Sequence, residues 1–210
     1  MHSSFSTLIA SMVIFLPAFL LALSVHEYAH ALTAYLLGDP TAKNQGRLTL
    51  NPIAHIDPMG LIFLMLFRVG WAKAVIFDAR NFKKPRLYTV FTALAGPFAN
   101  FLLALVGLYI LKYAPLLGIS NISLITLQQI MYALVYINIG LGVFNLLPIP
   151  PLDGSHILMI FLIKKYPHII EWFYRYSIFI FIFIFLAPPI RMGFIYLIQI
   201  VKQILTILVI

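Results

Sequence analysis

His26, Glu27 and His30 stand in the run His26-Glu27-Tyr28-Ala29-His30. Two histidines at i and i+4 share one helical face, one turn apart, so their imidazoles can converge on a single divalent ion. Zinc accepts such nitrogens at about 2.0–2.1 Å. Glu27, beside the first candidate ligand, is placed to act as general base on a water activated by the metal. The bland alternative is a polar patch in a helix interface, with both histidines hydrogen-bonded to neighbours. Three polar or ionisable groups within one turn are costly in an apolar helix, and a metal is the reading that accounts for them.

Two histidines leave a catalytic zinc one protein ligand short. The chain has six acids. Asp39 and Asp57 sit beside prolines, and Asp78 and Glu171 lie among basic residues. Asp153 instead lies against an apolar run, in Asn145-Leu146-Leu147-Pro148-Ile149-Pro150-Pro151-Leu152-Asp153-Gly154. Prolines lack the N–H a helix needs, and Gly154 permits a tight backbone, so this stretch can swing a carboxylate toward another helix. Two alternatives stay open. Asp153 could cap the helix that follows. His156, three positions on and on the same helical face, could be the third ligand in its place. His55 is a candidate donor to a metal ligand, against the reading of a loop histidine at the interface. His2 and His168 lie near an end or a loop and are expected to be solvated.

These groups must be positioned by apolar elements. The composition is 62% apolar with 10% charged, and mean hydropathy is +1.01. That leaves too few polar residues to cover a globule, which excludes a water-soluble domain and a disordered chain alike. Long unbroken apolar runs, without alternation, exclude a membrane barrel. The expected class is an all-α polytopic membrane protein. It has about five to six hydrophobic helical segments and a small strand-like or re-entrant region between residues 41 and 69. Cysteine is absent, so there is no thiolate site. The net charge of +8 reads as cytoplasmic loops and not as a nucleic-acid surface.

The apolar runs cover residues 5–37, 87–111, 122–147, 155–163, 172–187 and 190–210, with Gly38-Asp39-Pro40 and Pro188-Pro189 as stops. No Lys or Arg precedes the first run, so it is expected to be a retained membrane helix and not a removable signal. Arg47-Leu48-Thr49-Leu50 alternates and reads as a short strand. Residues 59–69 are too short to cross and suit a re-entrant segment. The basic stretches 70–86 and 164–175 are placed in the cytoplasm, with 112–121 outside. Lys202, within the last run, must face protein or snorkel. The Phe-rich stretch 179–185 reads as lipid-facing bulk. Gly96-Pro97 and Asn100 read as close helix packing, with the Asn bonding across helices. No internal repeat or soluble second domain is visible, so residues 1–210 are expected to form a single membrane-embedded domain.

The HEYAH run, followed far downstream by N-x-x-P-x-P-x-L-D-G, resembles the site-2 protease family of intramembrane zinc metalloproteases. Gly38-Asp39-Pro40-Thr41-Ala42, Gly46-Arg47-Leu48-Thr49-Leu50-Asn51-Pro52, His55-Ile56-Asp57-Pro58, Gly70-Trp71-Ala72-Lys73 and Ala95-Gly96-Pro97 with Asn100 are similar to further family stretches. Ala74 and Met59-Gly60-Leu61 depart from relatives that often have Pro and Gly-Thr there. The chain is similar to the compact branch without a PDZ or CBS domain. The resemblance implies one Zn²⁺ per chain on His26, His30 and Asp153, Glu27 as catalytic base, and Asn145 holding the scissile backbone or the oxyanion. It further implies hydrolysis of a peptide bond within or near a transmembrane helix of a membrane-protein substrate. The expected setting is the cell (inner) membrane, with the lipid bilayer around the protein and the site nearer the cytoplasmic side. The strand-like stretch 47–50 would pair with an unwound substrate. No nucleic acid is expected, and the sequence carries no signal for an oligomeric state. The rival class is a metal-ion transporter with His and Asp along its path. A catalytically silent scaffold is disfavoured by the complete set of ligand types.

Overall fold

A computed structural model of the chain describes residues 2–67, 70–162 and 166–209. The described residues form eight α-helices: α1 (His2–Leu36), α2 (Thr41–Asn44), α3 (Pro58–Phe67), α4 (Pro85–Tyr113), α5 (Asn121–Asn145), α6 (Asp153–Leu162), α7 (Pro167–Leu186) and α8 (Pro188–Ile207). Four spans are long and apolar enough to cross a membrane: Met12–Leu36, Pro85–Leu117, Asn121–Asn145 and Pro188–Ile207. The chain is an all-α polytopic membrane protein. Lys164 and Lys165, part of the second basic loop, lie outside the described residues.

Local chemistry sets the helix ends. Gly38, at φ +106°, ends α1 in a conformation that L side chains rarely adopt. Ser120 caps α5 by accepting from the Ser123 N–H. Pro85 and Pro188 stand in the first turns of α4 and α8, where a missing N–H costs nothing.

The centre of the bundle is two i+4 rows facing each other. On α1, Ala18, Ala22, His26, His30 and Ala34 are all buried. On α4, Thr92, Gly96, Asn100 and Ala104 are buried. Rows of this period form the ridges by which helices interdigitate. Small residues let the two backbones come close, which is how helices associate where lipid removes the hydrophobic drive. On the other side of α4, a Cβ on Gly107 would stand 2.8 Å from Val135 Cγ2, and one on Gly142 would stand 2.6 Å from Phe101. Ala104, Val135, Ile139, Val143 and Ile198 then join α4, α5 and α8 in one apolar core. At the end of α4 far from its Pro85 start, Tyr109 and Lys112 donate to the carbonyls of Leu208 and Val209 and fix the end of α8.

Two features between residues 41 and 69 settle the expectations there. Arg47–Leu50 is not a strand. It bends, with the Thr49 N–H on the Arg47 carbonyl. The reason is that its polar groups are claimed by residues outside the stretch: buried Arg47 donates to the carbonyls of Ala54 and Lys73, and the His55 ring meets the Thr49 carbonyl at 2.8 Å. The isolated antiparallel bridge among the described residues is Ile56 with Ala72. Helix α3 is ten residues long, Pro58–Phe67, and covers most of the stretch 59–69 expected to re-enter; residues 68 and 69 lie outside the described residues. Asp57 caps the helix, accepting from the Gly60 N–H at 2.9 Å. The chain then returns to the same level, because Gly70 packs so closely on the start of α3 that a Cβ there would come within 2.5 Å of the Gly60 carbonyl oxygen.

Candidate metal centre

Helices α1 and α6 bring His26, His30 and Asp153 to one point. The Nε2 atoms of His26 and His30 are 3.0 Å apart. Asp153 Oδ2 lies 3.1 Å from the first and 3.3 Å from the second. Bonds of about 2.0–2.1 Å in a tetrahedron place ligand atoms roughly 3.3–3.4 Å apart. The observed triangle is therefore close to one face of a zinc tetrahedron.

Hydrogen bonds on the outer sides of the rings decide which nitrogens face inward. His30 Nδ1 lies 2.7 Å from the Thr92 carbonyl, which only accepts, so Nδ1 carries the proton. His26 Nδ1 lies 2.6 Å from Asn100 Oδ1. Asn100 Nδ2 donates to the Ala22 carbonyl at 3.1 Å and to Asn138 Oδ1 at 2.8 Å, so the oxygen of its amide faces the imidazole. Both Nε2 atoms are then lone-pair donors aimed at a carboxylate oxygen. Asp153 Oδ2 is itself buried without a hydrogen-bond partner. Three electron-rich atoms at this spacing, one an orphaned buried carboxylate oxygen, fit a divalent cation.

The surrounding backbone is shaped to the same point. A Cβ on Gly96 would stand 2.7 Å from His26 Nε2 and closer still to His30 Nε2. A Cβ on Gly154 would meet the carbonyl carbon of Leu146 at 2.5 Å. Helix α5 ends at Asn145, the proline-rich turn follows, and α6 begins at Asp153. Asp153 is thus carried inward on the first residue of a new helix. Its side chain is 19% exposed against 4% and 7% for the histidines, so the centre opens on the Asp153 side.

Glu27 is buried, and its Oε2 accepts the Val75 N–H at 2.8 Å. Val75 belongs to a non-helical strap between Gly70 and Asp78. The strap bonds at alternate residues, Lys73 N–H to the His55 carbonyl and Val75 N–H to Glu27, which is the habit of extended backbone. Its far end is held by Asp39, which accepts from the Asp78 N–H at 2.7 Å and from Asn81 Nδ2 at 2.6 Å. Asp39 also accepts from the backbone and hydroxyl of Thr41.

The other candidates lie apart from the triangle. His156 packs its ring on Phe77, and the cluster of potential ligands among the described residues contains Asp153 and not His156. His55 is fully buried on the Thr49 carbonyl, with Nδ1 unpartnered. Asn145 is half-buried, and its Nδ2 donates to the Leu141 carbonyl at 3.0 Å. His168 is exposed; the His2 side chain lies outside what the structure describes. Sequence reading missed Asn138, Val75 and the Thr92 carbonyl. Asn138 had a signal, an amide within an apolar run. The other two act through backbone atoms, which residue type does not reveal.

Residues 112–187 match the family described as Peptidase family M50. The match takes in the stretch from α5 to α7, with Asp153, and does not reach His26 and His30. The chain is 43% identical over 141 residues to "Putative zinc metalloprotease YwhC" of Bacillus subtilis, covering 66% of this chain and 64% of that protein. It is 30% identical over 151 residues to "Putative zinc metalloprotease Rip2" of Mycolicibacterium smegmatis, covering 68% of this chain and 54% of the relative. The same figures hold for the Rip2 protein of Mycobacterium tuberculosis. The chain thus spans somewhat more than half the length of these curated relatives. No solved structure matches it.

Proposed function

We propose that this protein is an intramembrane zinc metalloprotease that hydrolyses a peptide bond in or near a transmembrane helix of a membrane-protein substrate. The observation that carries the reading is the convergence of His26, His30 and Asp153 within 3.3 Å around an orphaned carboxylate oxygen. Those three residues would hold one zinc. When bound, the metal supplies Lewis acidity that activates water and polarises a carbonyl.

The chain's own residues do the rest. Glu27 accepts the proton of the attacking water and returns it to the leaving amine. Val75 fixes the rotamer of that carboxylate through its backbone N–H. Asn145, at the end of α5, has one amide hydrogen on Leu141 and directs the other toward the substrate backbone or its oxyanion. The outward edge of the strap, at Ala74 and Ile76, pairs with substrate that has unwound. This replaces the Arg47–Leu50 edge, whose polar groups are already engaged.

His26 and His30 lie six to ten residues before the end of α1 at Leu36, about 9–15 Å along the axis. Basic residues Lys73, Arg80, Lys83, Lys84 and Arg86 follow in the sequence, and by the positive-inside rule they support a site nearer the cytoplasm.

The test separates protease from transporter. Purified wild type, Glu27→Gln, His26→Ala and Asp153→Ala are compared for zinc content and for cleavage of a membrane substrate. Glu27→Gln should keep zinc and lose cleavage, while His26→Ala and Asp153→Ala lose both. Zinc transport that survives intact in Glu27→Gln, without proteolysis in wild type, would overturn the reading.

A further inference from the structure

We infer that Asn138, on α5 and two side chains away from the centre, is a positioning residue that selects the metal-binding tautomer of His26. The inference rests on the metal-centre reading above. Its basis is a line of buried hydrogen bonds that crosses three helices and has only one allowed polarity.

The line begins at the Leu134 carbonyl, to which Asn138 Nδ2 donates at 2.8 Å. A carbonyl cannot donate, so the oxygen of the Asn138 amide must face the other way, toward Asn100 Nδ2 at 2.8 Å. The second hydrogen of Asn100 Nδ2 is taken by the Ala22 carbonyl. Both hydrogens of Asn100 are then used, and its Oδ1 is left for His26 Nδ1 at 2.6 Å. Asn100 and Asn138 are fully buried, so no solvent competes for any of these groups. The imidazole is thereby held with its proton on Nδ1 and its lone pair on Nε2.

Without Asn138, one hydrogen of Asn100 is buried and unsatisfied. The Ala22 carbonyl is then the one remaining group that opposes a rotated amide, which brings a nitrogen toward His26 Nδ1. That orientation suits the opposite tautomer, whose Nε2–H cannot bind a cation. Partners of this kind change metal affinity by about 10–100-fold. His30 is insulated from the effect because it is oriented by a main-chain carbonyl.

The decisive comparison is Asn138→Thr against Asn138→Val. The two side chains have the same shape and differ in a hydroxyl. A threonine here can donate to the carbonyl four residues back, as Thr126 and Thr206 do in this protein, while its oxygen accepts from Asn100. Zinc affinity is read by chelator competition, and the His26 tautomer by ¹⁵N shifts of the metal-free protein. Asn138→Thr should bind zinc within about threefold of wild type, and Asn138→Val about 10–100-fold more weakly, with the proton moved to Nε2. Asn138→Ser and Asn138→Ala repeat the comparison where the branched pair does not fold. Equal affinities and an unchanged tautomer within either pair overturn the role of Asn138 alone. Wild type that takes up no zinc overturns the metal centre, and this inference with it.

Discussion

The Val75 N–H donates to Glu27 Oε2 at 2.8 Å, although the two residues are 48 positions apart. A main-chain donor from a non-helical strap therefore holds the acid of the HEYAH run. The strap is tied at one end to the His55 carbonyl and at the other to Asp39. Orientation of Glu27 thus depends on residues outside every membrane span.

Removing that donor tests the dependence. Val75→Pro deletes the N–H while leaving the metal ligands in place. Cleavage should fall on the order of 100-fold, because a reacting group displaced by about 1 Å can cost that much. Zinc content should stay stoichiometric, as measured by elemental analysis. Full activity in Val75→Pro would show that Glu27 needs no such tether.

Gly96→Ala probes the closeness of α4 to the imidazoles. The added Cβ would stand 2.7 Å from His26 Nε2. Overpacking costs about 1–3 kcal/mol, and the atoms forced aside here are the inward-facing nitrogens. The variant should lose zinc at a chelator concentration that leaves wild type loaded. Retention of both zinc and activity would mean that the helices separate freely.

Substrate pairing is tested on the outward edge of the strap. Ile76→Pro removes the edge N–H, and the extended backbone demanded of Val75 by a following proline is compatible with the strap. Cleavage of a membrane substrate should drop at least about tenfold, the loss of roughly one hydrogen bond to a substrate backbone. Ile76→Ala should cleave as wild type does. Equal rates in the two variants would dismiss strand pairing.

Asp39 gives a pH signature of stability. Burial pushes its carboxyl upward, but hydrogen bonds from the Thr41 side chain, the Asn81 side chain and the backbone of Asp78 and Thr41 outweigh this and bring it below the ordinary carboxylate value. A depressed folded pKa means that the contribution is complete above the unfolded value of about 3.9. It is lost as pH falls through the lower folded value. Thermal stability in detergent should therefore decline as pH drops below about 4. Asp39→Asn should be less stable at neutral pH by about 1.5–3 kcal/mol, the range for bonds to a charged group, with a flatter acid limb. Identical curves for both proteins would remove Asp39 as the anchor of the strap. Asp78, held at about 2 chiefly by the exposed Arg80 side chain, adds little to this.

Sequence alone determined the apolar helices, the breaks at Gly38 and at the prolines before Asp153, and the candidate ligand types. Those signals are local: hydropathy follows from residue type, and the pairing of His26 with His30 follows from a helical repeat. The strand expected at Arg47–Leu50 failed because alternation over four residues says nothing about the distant partners of Arg47 and Thr49. Tertiary structure decided which third residue meets the histidines, placing Asp153 there and His156 against Phe77. It also decided that residues after α3 return to their starting level, and that Val75, Thr92 and Asn138 support the centre. Such contacts arise from how helices pack, through backbone atoms that every residue shares, so spacing along the chain does not encode them.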